Sequence, residues 1–198
     1  MLDIMTRQQY LRNLGFYEGK IDGKEGKLTK AAYKELQTKY FPSKYVDGLY
    51  GKQTETLLIN AERVRLYAKN FKLEEFRCKC NKYCTGYHET LSINLLKNLQ
   101  SVRSKFGTTI IKSGLRCTKY NNTLEGSSKT SKHTKGKAVD IYIYKYSGLT
   151  GRKKVIDYYI GLKNSNYAYC NGYYRKKWSN GTIKASFMGD SIHIDVLI

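Results

Sequence analysis

The spacing of apolar residues predicts a first part of the chain made of helices. Apolar positions recur every three or four residues, as they do on one face of an α-helix. One predicted helix runs from Thr6 to Leu14, and two more follow Asp-Gly turns, with Thr29 and Thr54 at their starts. The short spans between them predict a compact three-helix module.

The second part combines helical periodicity with short β-branched runs. One helix is predicted after Ser92 and another over 152–162, and an Asn-Gly pair at 171–172 marks a hairpin. Strands are predicted over three segments: 108–113, 137–144 and 192–197. The chain is therefore predicted to be α+β, with a helical domain over 1–66 and a domain of mixed helices and mostly antiparallel sheet over 71–198.

Composition and charge narrow the classes of partner. The 198 residues include 36 Lys and Arg against 16 Asp and Glu, which gives a formal net charge of +20. Such a chain is attracted to polyanions, among them nucleic acids, anionic membranes and acidic cell-wall polymers. The start of the chain lacks the pattern of a signal peptide, and no run of about 18 apolar residues predicts a membrane span.

Two similar phrases occupy the first part of the chain. They are Leu14-Gly-Phe-Tyr-Glu-Gly-Lys-Ile-Asp-Gly23 and Asp47-Gly-Leu-Tyr-Gly-Lys-Gln-Thr54. On these phrases, residues 8–58 resemble the peptidoglycan-binding domain found at the ends of bacterial and phage wall hydrolases. A generic helical bundle with Asp-Gly turns is the alternative, and two ordered copies of the phrase favour the specific interpretation.

Two of the three histidines lie near carboxylates, in the segments 131–140 and 190–195. A catalytic zinc ion needs about three protein ligands and an open position for water. His133, Asp140 and His193 supply nitrogen and oxygen donors of the right kind. These residues therefore predict a site for one zinc ion (Zn2+).

Hydrolysis at such a site also needs a carboxylate to accept the proton of the attacking water and pass it to the leaving amine. Asp195 lies two residues after His193 and shares its face on a regular strand. Asp190 lies three residues before His193, next to a possible turn at Gly189. The spacing leaves both open as the acid/base.

Three ordered motifs extend this hypothesis to a family. They are Ser113-Gly-Leu-Arg116, Ser131-x-His-x-x-Gly-x-Ala-x-Asp140 and Asp190-x-x-His-x-Asp195. From about residue 71 onward, the chain resembles the zinc D-Ala-D-Ala carboxypeptidases and L-alanyl-D-glutamate endopeptidases of the hedgehog/DD-peptidase fold.

The resemblance implies a role for each residue that matches. His133, Asp140 and His193 correspond to the zinc ligands, Asp190 to the acid/base, and Arg116 to the residue that orients substrate or stabilises the oxyanion. Some relatives carry Glu where this chain has the shorter Asp190. Asp195 therefore remains a second candidate for the acid/base. Ser131 is expected to position His133 or to bind substrate, because no general base for a serine nucleophile lies near it.

The predicted function is that of a zinc-dependent peptidoglycan peptidase, most simply an endolysin, cutting the L-Ala-D-Glu or the D-Ala-D-Ala bond. Its expected partners are the stem peptide and glycan of peptidoglycan and anionic wall polymers. We expect a monomer that is made in the host cytoplasm without a signal peptide and acts at the cell wall. A non-catalytic wall-binding protein is the alternative. Nucleic-acid binding is not expected, because the basic residues are scattered and no such motif occurs.

Cysteines suggest a further site. Cys78, Cys80 and Cys84 lie close together and His88 follows, and thiolates and imidazoles are ligands of structural zinc. Their spacing, however, is not the paired Cys-x-x-Cys of common zinc modules. We therefore interpret them as structural or incidental thiols.

Overall fold

The computed structural model of the chain describes residues 1–80, 82–184 and 186–197. Its N-terminal part contains the three expected helices: α1 (Ile4–Asn13), α2 (Lys27–Tyr40) and α3 (Lys52–Tyr67). Helices α2 and α3 begin two residues before Thr29 and Thr54, with Gly26 and Gly51 at the N-cap positions. The two threonines therefore do not cap their helices.

The threonines instead take part in a repeated network around a buried glutamine, which explains the two phrases. In the first copy, the Gln8 side-chain amide donates to Asp22 Oδ1 at 2.9 Å, to the Lys24 carbonyl at 3.1 Å and to Thr29 Oγ1 at 3.2 Å. Its Oε1 accepts from the backbone N–H groups of Asp22 and Gly23 at 3.1 and 3.0 Å. The Gln8 amide thus satisfies the hydrogen-bonding groups of the Asp22-Gly23 turn and joins the turn to the start of α2.

Gln37 repeats the arrangement in the second copy. Its amide donates to Asp47 Oδ1 at 2.8 Å, to the Leu49 carbonyl at 3.0 Å and to Thr54 Oγ1 at 2.8 Å. Its Oε1 accepts from the backbone of Asp47 and Gly48 at 3.1 and 2.8 Å. Two equivalent glutamines therefore hold the two Asp-Gly turns, a role that the phrases alone do not reveal.

Replacing Gln37 with leucine is expected to lower the free energy of unfolding by about 2–4 kcal/mol. The substitution leaves the buried Thr54 hydroxyl without its donor and the backbone N–H of Asp47 without its acceptor. Urea denaturation measures the change. Gln9→Leu, at an exposed position of α1, is the matched control and should change stability by less than about 0.5 kcal/mol; equal effects of the two variants would contradict the account.

The C-terminal part is built on an antiparallel sheet with order β1-β2-β6-β3-β4-β5 among the described residues. The strands are β1 (Ile110–Ser113), β2 (Ala138–Tyr142), β3 (Ser165–Cys170), β4 (Tyr173–Lys176), β5 (Ser179–Gly181) and β6 (Ile192–Val196). The helices of this part are α4 (Ile93–Phe106), α5 (Thr118–Asn121) and α6 (Leu149–Ile160), with 3₁₀ turns at Leu73–Phe76, Lys132–Lys135, Tyr144–Tyr146 and Ser186–Met188. A further 3₁₀ turn, Ser43–Tyr45, lies between α2 and α3. The predicted fold class, α+β with a helical N-terminal part, is confirmed.

The two faces of the sheet have different roles. Helices α4 and α6 pack against the strands, and the apolar side chains of one face are almost fully buried: Val139, Ile141, Ala168, Ile192 and Ile194. Asp140, His193 and Tyr169 lie opposite one another in register on adjacent strands, so they share the other face. The core therefore fixes the backbone from which the polar face projects.

The helical part packs directly against the sheet-containing part. The Asn60 side chain of α3 donates to the Glu89 carbonyl at 2.9 Å and accepts from the Leu91 N–H at 2.7 Å. Arg63 donates to the Leu91 carbonyl at 2.7 Å. These bonds fasten α3 to the segment that leads into α4.

None of the helices in the described part of the chain is long and apolar enough to cross a membrane.

Candidate active site

Three side chains of the predicted metal site meet on the polar face of the sheet. Strand pairing places Asp140 of β2 directly opposite His193 of β6. His133 comes from a 3₁₀ turn that ends at Gly136, where φ is +64° and an added Cβ would lie 2.1 Å from the Thr90 carbonyl oxygen. Only glycine fits this position, and it lets the turn bring His133 over β2.

The ligand-type atoms of these side chains point to one place. His193 Nδ1 lies 2.8 Å from Asp140 Oδ1, and His133 Nε2 lies 3.2 Å from the same oxygen. The two ring nitrogens are 3.3 Å apart. All three side chains are buried, so two imidazoles and one carboxylate form a compact group that could hold a metal ion.

The outer nitrogens of both imidazoles are held by acceptors. His133 Nδ1 lies 2.7 Å from the Gly114 carbonyl oxygen, which can only accept a hydrogen bond. His193 Nε2 lies 3.4 Å from Asp195 Oδ2. A proton on each outer nitrogen fits these acceptors, and this tautomer would leave His133 Nε2 and His193 Nδ1 free to bind a cation beside Asp140. Such partners commonly orient metal-binding histidines.

Electrostatics distinguish the two rings. Burial lowers the pKa of His133, which keeps this imidazole neutral. Burial also lowers the pKa of His193, but hydrogen bonds to Asp140 and Asp195 outweigh it and raise the value to about 9. Burial raises the pKa of Asp140, but the larger effect of His133 and His193 lowers it to well below its ordinary value. The group thus combines an anionic carboxylate with a neutral imidazole, His133, and a more basic imidazole, His193.

Arg116 lies beside this group, at the turn that follows β1. Its Nη2 donates to Asp140 Oδ2 and its Nε donates to Ser113 Oγ at 2.9 Å. The Arg116 backbone N–H donates to the His133 carbonyl at 3.3 Å. Arg116 therefore occupies one oxygen of Asp140 and leaves the other directed at the histidines.

The structure does not bring Asp190 and Ser131 into this group. Arg152 of α6 donates to Asp190 Oδ1 at 2.8 Å, and the Asp190 side chain is 66% exposed. Ser131 precedes the turn that carries His133, and its carbonyl accepts from Thr134 Oγ1 at 2.7 Å. Neither side chain lines the cavity above the histidines.

Asp195 is buried on the same face as His193. Besides facing His193 Nε2, its carboxylate accepts from the Asn166 side chain at 2.7 Å, and its backbone carbonyl accepts from the Tyr159 hydroxyl at 2.7 Å. These contacts hold Asp195 behind the imidazole, away from the cavity. Its spacing of two residues from His193 correctly predicted the shared face.

A cavity of about 430 Å³ opens above the group. Several residues that line it were not identified from the sequence: Lys79, Lys112, Glu125, Tyr169 and Phe187. The Tyr169 ring stacks on His193, with centroids 4.7 Å apart. Tyr169 alternates with Tyr167 along a tyrosine-rich strand, and Lys112 lies on the predicted strand β1. The other three come from loops or short turns that strand patterns do not relate to the site.

A second group of ligand-type side chains is formed by cysteines. Cys78, Cys80 and Cys84 meet Cys117, and the four sulfur atoms lie within 4.8 Å of one another. His88 is not a member, and both of its ring nitrogens are buried without a hydrogen-bond partner among the described residues. The structure therefore places Cys117, rather than His88, beside the three cysteines.

Comparison with known families agrees with these two parts. Residues 2–58 match a peptidoglycan binding domain, and residues 69–153 match the Peptidase M15 family. The second match includes Arg116, His133 and Asp140 and ends before His193, which strand pairing brings to the same place. No curated protein matches the chain. The chain therefore carries an N-terminal peptidoglycan-binding domain followed by a domain of Peptidase M15, a family of zinc metallopeptidases, and is a peptidase directed at peptidoglycan.

Proposed function

We propose that the chain is an endolysin-type enzyme that uses zinc to hydrolyse an amide bond of the peptidoglycan stem peptide, either L-Ala-D-Glu or D-Ala-D-Ala. We place its domains at 1–66 and 71–198. The observation that carries the proposal is the meeting of His133, Asp140 and His193, whose inward nitrogen and oxygen atoms lie 2.8 to 3.3 Å apart at the floor of an open cavity.

The donor set fits zinc. Two imidazole nitrogens and one carboxylate oxygen are the ligands of many catalytic zinc sites, which keep a further position for water, and a bound metal displaces any proton that the inner nitrogens carry. When bound, zinc lowers the pKa of its water to about 7 and polarises the scissile carbonyl. His133 Nε2 and His193 Nδ1 lie 3.3 Å apart and both face Asp140 Oδ1, so one ion between them could contact all three atoms. The geometry therefore supports His133, Asp140 and His193 as ligands.

Arg116 is proposed to bind the substrate. Its bonds to Asp140 and Ser113 fix the guanidinium at the cavity wall. A guanidinium has five N–H donors, and these two contacts leave others for a substrate carboxylate or for the oxyanion that forms during hydrolysis. Lys79 and Lys112 line the same cavity and would attract the carboxylates of a stem peptide. Ser131 is proposed to act through the turn that positions His133.

Asp190 is proposed as the acid/base, and Asp195 as the residue that positions His193. The Asp190 carboxylate is exposed to solvent, as a proton carrier requires, and it follows Phe187 and Met188 of the cavity wall. To reach substrate it must leave Arg152 and turn about Gly189, which already has a φ of +52°. Asp195 is buried and engaged by Asn166, which favours a positioning role.

The N-terminal domain is proposed to hold the enzyme on the wall, where it acts bacteriolytically. The charge of +20 would add attraction to anionic wall polymers. We propose a monomer, since one chain supplies every residue of the site. This delivery role concerns affinity for the wall, whereas the chemistry depends on the second domain alone.

Mass spectrometry of fragments from digested peptidoglycan tests the proposed reaction. New C-terminal L-Ala is expected from the endopeptidase, and free D-Ala from the carboxypeptidase. A His133→Ala sample corrects for background hydrolysis. Fragments with new sugar ends and intact stem peptides would contradict the proposal.

A further inference from the structure

We propose that Cys78, Cys80, Cys84 and Cys117 bind a second zinc ion, which has a structural role. Their four sulfur atoms lie within 4.8 Å of one another. Three of the four residues are buried, and Cys84 is half-buried. A site with four thiolate ligands is closed to water, so it would stabilise the fold without taking part in hydrolysis.

The distances agree with tetrahedral coordination. A Zn–S bond of about 2.3 Å places neighbouring sulfur atoms of a tetrahedron about 3.8 Å apart. The observed limit of 4.8 Å for all pairs, with 3.4 Å between Cys80 and Cys84, brackets this separation. Small side-chain movements are therefore enough to complete the site.

The backbone around the sulfurs is arranged to stabilise thiolates. The Cys117 N–H lies 3.2 Å from Cys78 Sγ, and the Gly86 N–H lies 3.3 Å from Cys84 Sγ. The Cys78 N–H donates to the Gly86 carbonyl at 2.9 Å, which closes the loop that carries the first three cysteines. Gly86 has a φ of +101°, and an added Cβ would lie 2.7 Å from Arg77 Nε. Glycine at this position thus keeps the loop tight around the sulfurs.

Disulfide bonds are the competing explanation for such close cysteines. A Cys80–Cys84 bond would use two of the sulfurs and leave Cys78 and Cys117 to pair separately. Convergence of all four sulfurs on one point is what a single ion requires, whereas two disulfides need only two separate contacts. The cysteines are free thiols in the structure.

The position of the cluster explains what the ion would do. Cys117 directly follows Arg116, and the Leu115 N–H donates to the Phe76 carbonyl at 2.9 Å. Lys79, between the first two cysteines, lines the cavity above the histidines. One ion would therefore tie the 78–84 loop to the turn that presents Arg116, and so hold one wall of the active site.

Metal analysis of the purified full-length chain tests the proposal. Wild type is expected to hold two zinc ions, one for each group of ligands. Cys84→Ser should hold one, and His133→Ala should also hold one. Cys170→Ser is the matched control, because Cys170 is a buried cysteine outside the cluster, and it should retain two. The His133→Ala result separates this site from the proposed catalytic one.

Cobalt substitution of the wild type tests the ligands without a mutation that could prevent folding. A strong sulfur-to-cobalt charge-transfer absorption is expected in wild type and in His133→Ala. Absence of that absorption, equal zinc content in Cys84→Ser and wild type, or a Cys80–Cys84 disulfide found by mass spectrometry in protein kept under reducing conditions would each overturn the proposal.

Discussion

Replacing His133 with alanine is expected to lower peptidoglycan hydrolysis by at least about 10³-fold. The substitution removes one of the three proposed ligands, the buried imidazole that lies 3.2 Å from Asp140 Oδ1. Loss of a catalytic metal removes several kcal/mol of transition-state stabilisation, and each 1.36 kcal/mol corresponds to a factor of ten. The rate of clearing of purified cell walls and the zinc content measure the two effects together.

His88 provides a matched control for this variant. It is the one histidine of the three in the chain that lies outside both groups of ligand-type side chains. His88→Ala should therefore retain both wall clearing and zinc. If His133→Ala cleared walls as fast as wild type, wall clearing would not depend on the proposed zinc site, and the account would be contradicted.

Substituting the two aspartates near His193 is expected to give different kinetic effects. Asp190→Asn should lower kcat by about 10²–10⁴-fold with unchanged zinc content, because it removes only the proposed proton carrier. Asp195→Asn should weaken zinc binding by about 10–100-fold, because it removes the acceptor that orients His193. Excess zinc should then restore the activity of the Asp195 variant but not that of the Asp190 variant.

Asp157 supplies the control for both substitutions. Like Asp190, it is an exposed carboxylate paired with an arginine, here Arg175 at 2.7 Å, and it lies outside the cavity. Asp157→Asn should leave kcat and zinc affinity unchanged. The proposed roles would be reversed if Asp190→Asn retained full kcat while Asp195→Asn lost activity that added zinc did not restore.

Local patterns predicted the elements of the fold well. The three- and four-residue spacing of Leu99, Val102 and Phe106 is typical of the helix α4, and the Asn171-Gly172 pair lies at the predicted hairpin. These features depend on neighbours in sequence. The repeated Asp-Gly phrases were also recognisable, but the glutamines that bind them were not, because Gln8 lies 14 residues from Asp22.

The site was less predictable wherever a contact joins distant segments. The motif spacing predicted His133, Asp140 and His193 as a group, yet the approach of Asp140 to His193 depends on the pairing of β2 with β6. The partner of Asp190 is Arg152, 38 residues away on α6, and nothing in the local sequence indicates this bond. In the same way Cys117, rather than the nearby His88, joins the cysteines because the turn after β1 packs against their loop.

Zinc titration of the metal-free enzyme tests the central claim most directly. Metal is removed with a chelator, zinc is added back in known equivalents, and the release of stem-peptide fragments is followed by mass spectrometry. The account predicts no release from the metal-free chain, recovery in wild type as zinc is added, and no recovery in His133→Ala. Release of the same fragments at the wild-type rate by the metal-free chain would contradict it.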